Sequence, residues 1–425
     1  NFFGLQGIAD TINEFGSDEI KSRYLPGLAS GRTTAAMVLT EPDAGSDLQS
    51  IKLRAEQNEE GGWLVRGVKR FITNGCGDVL LVLARSEDGT TDGRGLSLFV
   101  VERDPKVRVR RLEEKLGIHG SPTCELFFDD APAALIGERR RGLTRYVASL
   151  LNKARVAIAA QSLGIGEAAY RAAREFAHTR GRYGHTIEDI PAVRELLVDM
   201  SVDLQAARVL TYYAAYCLDL ERGAANNEKV SGTFKKRTAM LSPMCKYYAS
   251  EMSVRVANRA LAVLGGSGYM RDYPVERHLR DSRITTIYEG TTQIQVVSAF
   301  RPVLKGTIGE IVTELIDRNW IGPSAAYADR IRDGLRMLDA AAACLNERRD
   351  ADYTDLHSRR VVDMACVLLV GALLCGQAPD SRVKETVAGR WLDVKMPWLR
   401  AARDIICSGT RSVLDDFDAL ARRVF

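Results

Sequence analysis

The run Ile287-Tyr288-Glu289-Gly290-Thr291-Thr292-Gln293-Ile294-Gln295 is where residue types and spacing best suit chemistry. One carboxylate stands between an aromatic ring and a glycine, followed by two hydroxyls and two amides. Glycine at 290 lets another group approach the backbone closely. Beside Tyr288 the Glu289 carboxylate is expected to be partly desolvated, which raises its pKa and makes it a better general base. Taken alone, the same residues describe a helix start more simply: an acid, a glycine, then a threonine N-cap.

Other segments carry weaker signals. Thr40-Glu41-Pro42-Asp43-Ala44-Gly45-Ser46-Asp47 reads by itself as a turn, with Pro42 at its second position, Gly45 supplying positive φ, and Ser46 and Asp47 as local caps. Phe71-Ile72-Thr73 reads as an edge strand, and Arg180 as a helix-end charge that offsets the C-terminal dipole. Gly164-Ile165-Gly166-Glu167-Ala168-Ala169 matches G-x-G-x-x-A, but a dinucleotide fingerprint must follow a strand and open a helix. Here the pattern runs through a continuing helix from Val156 to Phe176, so close packing through small residues explains it. Gly265-Gly266-Ser267-Gly268 also lacks a preceding strand and reads as a helix C-cap and loop.

The elements that must position these groups fall into four stretches. Residues 1–34 read as helix and loop, with an N-cap signal at Gly16-Ser17-Asp18-Glu19. Residues 35–137 hold short apolar runs between turn residues: Ala35–Leu39, Trp63–Val68, Val79–Ala84, Leu96–Val101 and Glu125–Phe128. Their length and spacing predict antiparallel strands, and no intervening helical stretch allows a βαβ sheet. Residues 138–305 are helical, with apolar residues recurring at three and four over about 143–180, 191–222 and 233–264, and a further helix after Gly290 completing a bundle. Residues 306–425 are again helical, broken near Gly322-Pro323, Arg349–Asp355 and Ala378-Pro379-Asp380, and are expected to pack on the bundle or on a second subunit. Their apolar Val367-Leu368-Leu369 and Leu373-Leu374 are read as surface that a lone bundle would struggle to cover.

Composition bounds the classes. With 46% hydrophobic and 27% charged residues over 425 positions, the chain is an ordinary globular protein of two or three domains. A net charge of +4, with scattered Lys and Arg, argues against nucleic acid. The eight cysteines form no C-x-x-C pair and most lie in apolar helical context, which predicts buried free thiols in a reducing, cytoplasmic setting. The five histidines are dispersed, so no metal site is expected. The longest apolar run, Met364–Cys375, is too short to span a bilayer and predicts a buried helix rather than a transmembrane segment. No signal peptide is read, and the start at Asn1 suggests a fragment or a processed form.

Taken together and in order, these segments resemble the acyl-CoA dehydrogenase family. The family shows T-E-P-x-x-G-S-D, W-I-T-N-G, L-G-x-x-x-S-x-T, R-x-x-F-G and Y-E-G-T-x-Q-I-Q. This chain has Thr40–Asp47, Phe71-Ile72-Thr73-Asn74-Gly75, Leu116–Thr123, Arg180-Gly181-Arg182-Tyr183-Gly184 and Tyr288–Gln295, with Arg280-Asp281 preceding the glutamate at the family's spacing. The resemblance covers roughly residues 14–305. The phrase Gly117–Cys124 is similar to a bacterial subgroup with a helical C-terminal extension. The family also has about a hundred helical residues ahead of this chain's start.

The resemblance implies an α+β fold: a remainder of an N-terminal helical domain, an antiparallel β-barrel or sandwich middle domain, a helical bundle and a helical extension. It implies FAD as cofactor and an acyl-CoA as substrate, dehydrogenated to the trans-2-enoyl-CoA with Glu289 as α-proton base and hydride passing to flavin N5. Electrons would leave to an electron-transfer flavoprotein. Cofactor contacts would come from Leu39, Thr40, Gly45, Ser46, Phe71, Ile72, Thr73, Gly265, Gly266 and Thr291. Arg180, Tyr183 and Gln293 would hold the dinucleotide, with Arg180 on the pyrophosphate across a subunit boundary of a homodimer or homotetramer. Substrate contacts would come from Ser46, Ser121, Asn152, Arg155, Tyr288 and Gly290. Phe71 stands where the family more often has Trp, Tyr183 where it has Phe, Asn152 where it has Asp, and Ala262 where it has Gln. Some relatives place the base one residue before the arginine of the Asn152–Arg155 helix; here that residue is Ala154, which cannot act as a base. An acyl-CoA oxidase, or a non-catalytic flavin-binding or DNA-damage-response relative, are the alternatives left open.

Overall fold

The computed structural model describes residues 2–182, 184–224 and 227–422. The chain divides into two compact units, Asn1–Ala157 and Ile158–Phe425. The division falls inside one long helix.

The first unit opens with α1 (Phe2–Phe15) and α2 (Asp18–Ser30). Ser17 caps α2 by accepting from the Ile20 N–H at 3.3 Å, and Gly31 ends it in the left-handed conformation at φ 72°. Seven strands follow: β1 (Ala35–Val38), β2 (Arg54–Gln57), β3 (Trp63–Thr73), β4 (Val79–Arg85), β5 (Leu96–Glu102), β6 (Val107–Leu112) and β7 (Thr123–Ile136). β3 pairs with β2 and β7, β7 with β5, β5 with β4, and β4 returns to β2 through Arg54 and Arg85, so the sheet closes on itself as a barrel. The pairs are not all antiparallel as expected: β1–β4 and β2–β4 run parallel. The β2–β3 hairpin inserted between β1 and β4 supplies the long crossover that a parallel pair needs.

The apolar β4 and β5 are buried almost throughout. β2 and β6 left no apolar run to read, because β2 buries only Ala55 and β6 fully buries only Val107. The helical turn Gly142–Val147 packs on β5. A Cβ on Gly142 would lie 2.6 Å from the Ser97 carbonyl carbon, so the absence of a side chain lets the two backbones meet.

α3 (Ala148–Thr179) carries the chain into the second unit, followed by the small hairpin β8 (Gly181–Arg182) and β9 (His185–Thr186). Then come α4 (Pro191–Gly223), α5 (Glu228–Leu264), α6 (Gly266–Tyr269), α7 (Val275–Thr285) and α8 (Thr292–Leu304). α5 packs on α4, α7 and α8. Gly164 and Gly166 both lie inside α3, but the close packing expected of them occurs only at Gly166, since a Cβ on Gly164 would meet nothing within 4 Å. A Cβ on Gly166 would meet Leu204 Cδ2 of α4 at 3.1 Å and Met252 Sδ of α5 at 3.3 Å.

The last elements are α9 (Thr307–Ile316), α10 (Pro323–Arg348), α11 (Ala351–Gln377), α12 (Arg382–Ser408) and α13 (Ser412–Asp415). α11 is the buried axis of this region, packed on α10 and α12 and also on α8, α9 and α4. Val367, Leu368, Leu369 and Leu374 are no more than 6% exposed. The expectation of uncovered apolar surface there is therefore corrected: the chain's own helices cover it. α11 is long and apolar enough to cross a membrane, but 78% of its apolar window is buried inside the protein, which is the signature of a core helix.

The thiol expectation needs a second correction. Cys344 on α10 and Cys407 on α12 form a disulfide, with Cα atoms 5.6 Å apart; the other six cysteines are free. The pairing was invisible in the sequence because the partners are 63 residues apart and only the α10–α12 packing brings them together.

Candidate active site

The Glu289 loop lies in the second unit, between α7 and α8. Glu289 adopts φ 55° and Gly290 φ 91°. A non-glycine residue in the left-handed region carries strain of about 1–3 kcal/mol and persists only where its surroundings over-determine it. They do so here. The Gln295 side-chain amide donates to the carbonyls of Glu289 at 2.9 Å and Gly290 at 3.1 Å. Lys246, fully buried on α5, donates to the Gly290 carbonyl at 2.6 Å. The Thr292 N–H closes the loop onto the Thr286 carbonyl at 2.9 Å, and the Thr292 hydroxyl donates to Glu251 Oε1 at 2.6 Å. Glycine is needed at 290, since a Cβ there would sit 2.4 Å from Gln295 Nε2.

Tyr288, Glu289 and Gly290 are half-buried. The Tyr288 hydroxyl donates to Gln161 Oε1 of α3. Burial, then the neighbouring Glu289 charge, push the Tyr288 phenol well above its ordinary range, so it stays a protonated donor. The helix-start reading is right in position only: Thr291 precedes α8, but its side chain makes no capping hydrogen bond.

Of the other predicted residues of this unit, Arg180, Gln293, Gly265 and Gly266 lie at the surface, and Thr291 and Arg280 are half-buried. Arg180, just beyond the end of α3, is exposed, with its guanidinium 6.0 Å from the Phe176 ring centre. Gln293 is exposed and donates to the Ser358 hydroxyl of α11 at 3.4 Å. Gly265 ends α5 at φ 59°, and a Cβ at Gly265 or Gly266 would meet nothing within 4 Å, which leaves an open cradle. Arg280 forks onto Glu276 at 2.7 and 3.0 Å within α7. Tyr183 lies outside the described residues.

The first unit brings the Thr40–Asp47 turn, Phe71–Thr73 and Ser121 to one end of β3. The Thr40–Asp47 segment turns at Pro42-Asp43, where Glu41 and Ala44 exchange backbone hydrogen bonds of 3.1 and 3.2 Å. The buried Glu41 carboxylate accepts from the Lys52 N–H at 2.8 Å, the Leu53 N–H at 2.9 Å and Lys69 Nζ at 3.0 Å. Lys69, fully buried on β3, also donates to the Leu39 carbonyl at 2.7 Å. Burial lowers its pKa to about 8 against the opposing pull of Glu41. The Arg70 N–H donates to the Thr40 carbonyl at 2.9 Å, so β3 holds the turn from two successive residues. Gly45 does not supply positive φ, which corrects the turn reading; reversal at Pro42-Asp43 leaves Gly45 and Ser46 as exposed residues.

Just past Lys69 the register with β7 slips, and Phe71 adopts φ 60° and is 53% exposed, with the Arg70 guanidinium 4.8 Å from its ring centre. A bulge that re-aims one side chain is a common device beside a binding site. Thr73 is exposed beside it, whereas Ile72 and Leu39 point into the core, so only their backbones can meet a ligand. Thr73 pairs with Thr123, and the Asn74 N–H donates to the Pro122 carbonyl at 2.7 Å, which sets Ser121 beside the same strand end. Asn152 and Arg155 share a face of α3, the guanidinium donating to Asn152 Oδ1 at 3.1 Å.

Sequence reasoning missed Lys246, Gln161, Glu251 and Lys69, and gave Gln295 no role. Lys246 left a signal, a charge inside the apolar stretch Met244–Tyr248; Lys69 left a similar one in β3. Nothing in the sequence connects Gln161 to Tyr288.

Comparison with known proteins bears on both units. Residues 36–131 match the family model "Acyl-CoA dehydrogenase, middle domain", and residues 140–302 match "Acyl-CoA dehydrogenase, C-terminal domain". An acyl-CoA dehydrogenase of Bacillus subtilis is 40% identical over 299 residues, covering 69% of this chain and 74% of that one. The butyryl-CoA dehydrogenase structure from Megasphaera elsdenii is 33% identical, covers 70% of this chain and 74% of its own, and superposes with a TM-score of 0.63. The structure of Caenorhabditis elegans ACDH-11 in complex with C11-CoA is 26% identical and superposes with a TM-score of 0.79 over 96% of this chain and 75% of its own.

Proposed function

The chain belongs to the acyl-CoA dehydrogenase family, and from that membership we propose the chemistry of its residues. It is an FAD-dependent oxidoreductase of acyl-CoA thioesters. Glu289 acts as the base that takes the α-proton, and the product is the trans-2-enoyl-CoA.

The observation that carries this reading is the Glu289 backbone. A carboxylate in a left-handed conformation, locked by Gln295, Lys246 and Thr292, has been placed at the expense of local strain. As the α-proton goes to Glu289, negative charge develops on the thioester oxygen, and the Glu289 N–H is the proposed donor to it. Tyr288 and the Gly290 backbone shape the apolar site that excludes water. Bound FAD supplies the acceptor for the β-hydride.

The donor set fits that cofactor. Phe71 offers an exposed ring face; Thr40, Ser46 and Thr73 offer hydroxyls; Gly45 and the Leu39 and Ile72 backbones leave room for close approach. Arg180 suits a forked contact to the pyrophosphate, with Thr291, Gln293 and the Gly265-Gly266 cradle receiving the dinucleotide. Ser121, Asn152 and Arg155 hold the CoA. Electrons then leave to an electron-transfer flavoprotein. The active species is at least a homodimer, because Arg180 and Gln293 serve a neighbouring subunit's cofactor.

Glu289→Gln tests the reading. Gln is nearly isosteric and cannot accept a proton, so turnover of an acyl-CoA panel with an artificial electron acceptor should vanish while flavin stays bound. Near-parental turnover in the variant would refute the base assignment.

A further inference from the structure

The Glu289 loop is tied to the C-terminal helices, and we infer that Arg359 of α11 is a positioning residue for the proposed base. The inference rests on the reading of Glu289 as that base, and its geometry lies wholly within the second unit. The Thr292 hydroxyl, next to the loop, donates to Glu251 Oε1 at 2.6 Å. The other carboxylate oxygen of Glu251 lies 3.6 Å from the Arg359 guanidinium. Arg359 Nε donates to the Tyr247 hydroxyl at 3.0 Å, and that hydroxyl donates to Asp363 Oδ1 of α11 at 2.6 Å. A second tie runs from Gln293 to Ser358 at 3.4 Å.

Each part has a physical role. Glu251 faces Thr292 with one oxygen and Arg359 with the other, so the loop's position is coupled to that of α11. Arg359 is itself oriented, because its Nε is held on a phenol anchored to Asp363. Removing Arg359 leaves Glu251 with one fewer partner and free to turn from Thr292. The strained Glu289 backbone then loses one of its constraints. A base displaced by about 1 Å can cost up to about 100-fold in rate.

Arg359 is exposed, so its replacement is compatible with folding. The experiment compares the parent with Arg359→Ala, Arg359→Lys, Thr292→Val and the Arg359→Ala/Thr292→Val double variant. Two measurements are made on the flavin-loaded full chain: kcat and KM with the best straight-chain acyl-CoA of the panel, and amide hydrogen exchange of the peptide spanning residues 285–296. Arg359→Ala should lower kcat by about 10- to 100-fold with KM little changed and speed exchange in the loop. Arg359→Lys should restore part of both, and the double variant should be no worse than the more impaired single variant. Unchanged loop exchange in both single variants overturns the tether. Faster exchange with unchanged kcat overturns its role in positioning the base. Additive losses in the double variant overturn the single path. If Glu289→Gln retains activity while loop exchange still responds to Arg359, the base assignment fails and the tether stands.

Discussion

At the scale of single residues, the buried Lys69–Glu41 pair sets a testable pH dependence. The unfolded chain keeps its lysine proton up to about 10.5, while folded Lys69 releases it at about 8, lowered chiefly by burial. Between those values the unfolded state binds more protons, so raising the pH favours the folded state. Thermal melts of the parent should therefore carry a stabilising contribution across pH 8 to 10.5 that is missing in Lys69→Met. A pH-independent difference between the two would show that Lys69 titrates normally. At neutral pH, Lys69→Met should lose about 3–5 kcal/mol, because Glu41 is left buried without its cation. The same pair explains why the Thr40–Asp47 turn can present Ser46 in one geometry. Glu41 is part of its foundation rather than of its contact surface.

At the scale of elements, the bulge in β3 separates stability from ligand binding. Phe71 occupies a left-handed backbone with an exposed ring, so the fold gains little from that side chain. Phe71→Gly relieves the backbone strain and removes the ring. The flavin-free protein should keep its stability to within about 1 kcal/mol, while flavin retention after dialysis falls. Equal retention in the parent and the variant would remove Phe71 from the cofactor site. The sequence placed part of this strand and part of β7 through the runs Trp63–Val68 and Glu125–Phe128, yet could not place the bulge, since register is a property of the β3–β7 pair.

At the scale of the whole molecule, two properties are open to measurement. The Cys344–Cys407 bond closes a loop of 63 residues of separation between α10 and α12. Denatured, unreduced protein should titrate as six thiols, in line with the six free cysteines, and Cys344→Ser should destabilise the protein by about 2–4 kcal/mol. A count of eight without reduction would show the bond unformed. Assembly is the second. With α11 buried by its own chain, the apolar surface left in this unit includes Tyr212 and Tyr216 on α4, 65% and 57% exposed, and Val297 on α8 at 54%. Light scattering on the flavin-loaded protein should give at least a dimer, with flavin loss and dissociation linked by mass action. A fully active monomer would refute the assignment of Arg180 and Gln293 to a neighbour's cofactor.

The sequence by itself determined what depends on nearest neighbours along the chain. The apolar periodicity of α3, α4 and α5 and the runs of β1, β3, β4 and β5 were legible because burial of one face imposes a local spacing. The ordered motifs, read as a family resemblance, marked Glu289 and the Thr40 and Phe71 segments. Tertiary structure alone decided the rest. The polar strands β2 and β6 exist because partners pair with them, not because their own residues demand it. The parallel β2–β4 contact is set by barrel closure, and β1 adds to β4 in parallel outside that ring. Lys246, Gln161, Glu251 and Arg359 come to the Glu289 loop, directly or through one another, from helices distant in sequence. The spacing of residues along one helix carries no record of which face of another helix it will meet. The disulfide and the burial of α11 follow the same logic, since both are set by which helices the fold sets side by side.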